Sequence, residues 1–88
     1  MIRGLLIEAK EILVDCLQKI EWDQDSVEYL IDSIDYLLSS QIPLNYEVVD
    51  ILLQDILVTS TYHKKSRLIE VVKIFYKILE MLPCTIYQ

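Results

Sequence analysis

Apolar residues recur at helical spacing in four stretches of this chain, and polar breaks separate them. In the first stretch, about 3–20, Leu6, Ala9, Leu13, Cys16, Leu17 and Ile20 share one stripe, while Glu8, Glu11, Asp15 and Gln18 lie elsewhere. That is the pattern of an amphipathic helix with one face in a core. The second stretch, about 26–39, repeats Val27, Leu30, Ile31, Ile34, Leu37 and Leu38 at i, i+3, i+4, i+7 spacing without an exception. The third, about 46–58, is different: Val48, Val49, Ile51, Leu52, Leu53, Ile56 and Leu57 cover more than half the circumference. So wide an apolar arc predicts the most enclosed helix of the set. The fourth, about 67–82, places Leu68, Val71, Val72, Phe75, Ile78, Leu79 and Leu82 on one stripe.

The breaks carry their own chemistry. In Trp22-Asp23-Gln24-Asp25 the Asp25 carboxylate is placed to cap the second helix, with Glu28 three residues on completing a box-like pairing. Proline at 43 disfavours helical geometry at Ile42, and Asn45 is positioned to cap the third helix. The longest polar stretch, Thr59 to Ser66, predicts a loop whose last residue caps the fourth helix, and Pro83 ends that helix. With one glycine and two prolines in 88 residues, little else interrupts the helices. Connections this short join antiparallel neighbours, so the expectation is all-α: one domain spanning residues 1–88, an antiparallel up-down-up-down four-helix bundle.

Composition adds a question about surface. A chain of this length buries only about 60–65% of the surface its unfolded form exposes, yet 53% of its residues are hydrophobic and its mean hydropathy is +0.34. Either the core is dense or apolar surface is left over for a partner. A membrane span is not expected, because charged residues interrupt every apolar run well short of about 20 residues. The start of the chain has one basic residue and too short an apolar segment for a secretory signal, which points to the cytoplasm. There, reduced thiols are the default for Cys16 and Cys84, and Cys16 falls among apolar residues as a buried thiol would.

Charge is unevenly spread. Residues 1–44 hold three basic and nine acidic side chains, whereas residues 45–88 hold five of each, so the net −6 resides in the first half. An acidic half of that size repels nucleic-acid phosphates, and no nucleic-acid partner is expected. Two surfaces are candidates for binding a protein. One is the cationic cluster of Tyr62, His63, Lys64, Lys65, Arg67, Lys73 and Lys77, which suits simple solvation or contact with an acidic protein segment or anionic lipid headgroups at the membrane face. The other is the outer face of the second helix, Glu28, Tyr29, Asp32, Asp35 and Tyr36, read as a solvated face or as a cover for a basic protein.

Catalysis has no candidate residues. His63 stands beside Lys64 with no nucleophile and supporting acid placed to form a triad. Cys16, Cys84 and His63 lack the spacing of a metal site, and no phosphate-cradling loop or other cofactor motif occurs. The reading is a non-enzymatic binding protein without a cofactor.

From Ser26 to Leu82, about two thirds of the chain, the layout resembles the immunity proteins of pediocin-like bacteriocins, of the enterocin A type. The residues that carry the resemblance are the amphipathic helix from Val27 to Leu38, the turn Ser39-Ser40-Gln41-Ile42-Pro43-Leu44, and the aliphatic helix from Val48 to Leu57. The basic loop and the final amphipathic helix from Leu68 complete it. The acidic balance departs from the basic members of that family. The resemblance implies a four-helix bundle that protects a bacterium from a pore-forming peptide, acting from the cytoplasm or the inner face of the membrane on a sugar-transporter receptor with the peptide bound. Charge clustering together with that layout places the expected partner contacts in the polar loop and fourth helix, at Tyr62, His63, Lys64, Lys65, Arg67, Lys73 and Lys77. The alternatives are an acidic inhibitor or antitoxin-like protein that covers a basic partner, and a helical dimerisation module, favoured if excess apolar surface of the third helix is shared between chains.

Overall fold

A computed structural model describes residues 1–19, 24–40, 44–62 and 67–82, with the side chain of Tyr62 outside that description. Four α-helices follow one another: α1 (Ile2–Lys19), α2 (Gln24–Ser39), α3 (Tyr46–Tyr62) and α4 (Leu68–Met81). Each packs on its neighbours around a ring, α1 on α2, α2 on α3, α3 on α4 and α4 on α1, with no diagonal packing among the described residues. Cross-helix pairs set the directions. Arg3 Nη1 at the start of α1 donates to the Leu38 carbonyl at the end of α2 (2.7 Å), and Lys10 pairs with Asp35 (2.7 Å). The helices form the antiparallel four-helix bundle that the periodicity predicts.

The described residues of the predicted stripes meet in one apolar core, and Ile20 of the first stripe lies outside the described residues. Leu6, Ala9, Leu13 and Cys16 of α1, Val27, Leu30, Ile34 and Leu37 of α2, and six side chains of α4 from Leu68 to Leu79 are buried. Ile12 joins them, and Leu17, Ile31, Leu38 and Leu57 pack against the cluster partly buried. In α3 the core takes Val49, Leu52, Leu53 and Ile56 but leaves Val48 and Ile51 exposed. The third helix is therefore not the most enclosed one. Its apolar arc is wider than two neighbouring helices can cover, and α2 packs on it more loosely than any other adjacent pair packs. Part of the arc faces outward.

Helix ends follow local hydrogen bonding. Asn45 Oδ1 accepts from the Glu47 and Val48 amides (2.7 and 3.4 Å), which caps α3 as its position suggests. Helix α2 begins at Gln24, two residues before the predicted start, so Asp25 lies in the first turn and favours that helix end by charge instead of capping it. Helix α3 continues through Thr59 to Tyr62, where a loop was expected. The hydroxyls of Thr59, Ser60 and Thr61 donate to carbonyls three or four residues back, at 2.9–3.0 Å, so these polar side chains are satisfied within the helix. Thr59 is only 8% exposed, which gives that extra turn a place against the core. At the far end Leu82 turns extended (φ −98°, ψ 141°), as a residue before proline prefers. The expected cap at Ser66 lies outside the described residues; Arg67 takes the N-cap position of α4 without a side-chain cap.

Candidate functional site

Of the cationic cluster, Arg67, Lys73 and Lys77 are described, and these three take different roles. His63, Lys64, Lys65 and the side chain of Tyr62 lie outside the described residues. Arg67 is drawn into an ion-pair network: it donates through Nε and Nη2 to both Glu70 oxygens (3.0 and 3.3 Å) and through Nη1 to Asp15 (3.0 Å). Asp15 also accepts from Lys19 at 3.2 Å. Glu8 and Glu11 of α1 border the same hollow as Arg67 and Glu70, so the guanidinium faces a row of α1 carboxylates. Its work is to tie the start of α4 to the last turns of α1. Lys73 and Lys77 differ: both are exposed on α4, one turn apart with exposed Tyr76 beside them, and form a short cationic stripe.

The Arg67 network has a pH signature. Hydrogen bonds from Lys19, then Arg67, hold the Asp15 carboxyl below its usual range, and Arg67 does the same for Glu70. Groups depressed in the folded state stabilise it above their unfolded values, and that contribution is lost as pH falls through the folded ones. Wild type is expected to melt slightly above Arg67→Met at pH 7, on the order of 1–2 °C because the pairs are solvent-exposed. The gap should close in thermal melts as pH drops below about 4. A gap that persists undiminished in acid would assign the role of Arg67 to packing of its aliphatic stem.

The acidic face of α2 also divides. Asp35 turns toward α1 and pairs with Lys10, while Glu28 is exposed. Tyr29, Asp32 and Tyr36 instead form one wall of a groove of about 340 Å³ between α2 and α3. The facing wall is Val48, Ile51, Leu52 and Asp55, none of which the sequence reading placed in a binding site. A second hollow of about 350 Å³ extends the groove toward the start of α2, lined by Asp25, Ser26, Val58 and Thr59 and sharing Tyr29 and Asp55 with the first. The Tyr29 hydroxyl reaches Asp55 across the groove at 3.5 Å, the limit of a hydrogen bond. The signal that could have found the α3 wall was the excess apolar arc itself.

Other chemistry is sparse in this bundle. Cys16 is a buried free thiol, and burial pushes its pKa up, which disfavours the reactive thiolate. Cys84 lies outside the described residues. Among the described residues no group of three or more His, Cys, Asp or Glu side chains is placed to hold a metal ion, and no helix is long and apolar enough to cross a membrane. Comparison of the chain with protein-family models, curated proteins and solved structures finds no match. The fold and its surfaces must carry the functional argument.

Proposed function

We propose that this protein is a non-enzymatic protein-binding bundle that serves as an immunity protein: it protects a bacterium from a pore-forming pediocin-like bacteriocin by engaging, from the cytoplasmic side, the sugar-transporter receptor to which the peptide has bound. The observation that carries this reading is the four-helix layout, in which the helices follow one another in the order expected of the family the sequence resembles. The exposed Lys73, Tyr76 and Lys77 stripe supplies a contact surface on the fourth helix, and contact with the inner membrane face is compatible with its charge. Expression in a bacteriocin-sensitive host, challenged with a panel of pediocin-like peptides, tests it. Selective resistance relative to an empty vector is the expected result. Uniform sensitivity with folded protein present would overturn it. The double variant Lys73→Glu, Lys77→Glu should lose protection while keeping its helical circular dichroism; protection retained would remove the stripe from the mechanism.

A second reading is favoured by the α2–α3 groove. An acidic rim over an apolar floor is the complement of a basic amphipathic surface, as an inhibitor or antitoxin-like protein would need to cover its partner. Neutralising Asp32 and Asp55 should weaken such a partner and leave immunity through α4 unchanged.

A further inference from the structure

We propose that the α2–α3 groove receives a single amphipathic α-helix of a partner protein, apolar on the face that enters and carrying Lys or Arg along its flanks. This rests on the second reading above and not on bacteriocin immunity.

Apolar exposure is concentrated there. Of the ten large hydrophobic side chains exposed among the described residues, five border this one groove: Tyr29, Tyr36, Val48, Ile51 and Val58. Tyr36 and Ile51 are 66% and 63% exposed on opposite walls, so apolar surface reaches the open lips of the groove. Dimensions suit a helix. From Asp25 to Tyr36 the α2 wall of the two hollows runs about 17 Å, or three helical turns. A helix lying in the groove would insert side chains at i, i+3 or i+4, and i+7.

Charge selects the flanks. Asp25 and Asp32 from α2 and Asp55 from α3 line the two hollows, and among the described residues no Lys, Arg or His lines either of them. Lys10 is engaged by Asp35 on the α1 side of α2. A second copy of this chain docked through the same face about a two-fold axis would bring these carboxylates against one another, so self-association is disfavoured. The Tyr29–Asp55 contact, at 3.5 Å, is weak enough to yield. An incoming ammonium or guanidinium replaces a neutral hydroxyl donor with a charge-assisted one, and releasing Tyr29 joins the two hollows into one trough.

The test uses the full chain, isotope-labelled, titrated with synthetic peptides of about 18 residues, long enough to be helical. A Leu/Lys amphipathic helix is the probe; a Leu/Glu helix of the same apolar pattern and an extended, proline-interrupted Lys-rich peptide are the controls. The expected result is binding of the Leu/Lys helix alone, with amide shifts confined to α2 and α3. Binding should weaken by at least about tenfold in Asp32→Lys, Asp55→Lys, and stay unchanged in Lys73→Glu, Lys77→Glu. Equal binding of the extended basic peptide would overturn the helix-in-groove proposal while sparing the basic-partner reading. Failure of both basic peptides to bind would overturn both. Equal binding of the Leu/Glu helix, shifts mapped elsewhere, or dimerisation through this face would also overturn the proposal.

Discussion

Replacing Phe75 by alanine is expected to destabilise the bundle by about 3–5 kcal/mol, the usual cost of removing a buried aromatic ring and leaving a cavity. Phe75 is fully buried at the middle of α4, the helix that packs on both α1 and α3, so the void opens where three elements meet. Small domains hold only about 5–15 kcal/mol in total. The melting temperature, followed by helical circular dichroism, should fall by at least about 12 °C. Tyr76→Ala is the control, one residue away on the same helix but half exposed, and should move the melt within about ±0.5 kcal/mol. Equal losses at the two positions would mean that the ring of Phe75 is not in the core and that the face of α4 has been misassigned.

What the chain reveals of itself depends on how local the deciding interaction is. The stripes of α2 and α4 are legible because a narrow apolar band leaves one orientation for the helix, and Val27, Leu30, Ile34 and Leu37 take it. The Asn45 cap is legible for the same reason: its acceptor serves amides two and three residues on. The polar run from Thr59 to Thr61 misleads, because hydroxyl composition signals a loop while the hydroxyls are in fact bonded back along the helix. Arg67 could be paired with Glu70 from spacing alone, but its second partner, Asp15, is 52 residues away and is brought near only by the packing of α1 on α4. The groove was half visible. Tyr29, Asp32 and Tyr36 stood out on α2, whereas the α3 wall read as core, since periodicity reports how wide an apolar arc is and not how much of it the neighbours cover.

Adjacent residues of α3 should therefore respond oppositely to the same change. Leu52→Asp is expected to unfold the protein. Leu52 is 5% exposed, and an unpaired carboxylate in an apolar core costs several kcal/mol or forces its own protonation. Ile51→Asp places the same group on the open lip of the groove, where water reaches it; the melting temperature should change by no more than about 3 °C, helix propensity being the main cost. Thermal melts of the two variants side by side check this. Were both to unfold, α3 would be enclosed as its sequence suggests and there would be no groove to fill. If only Leu52→Asp unfolds, Ile51→Asp becomes the sharpest probe of docking, because it adds charge to the lip of the groove without disturbing the scaffold. A partner helix that seats an apolar residue against Ile51 would then have to bury a carboxylate, and binding should fail while the fold persists.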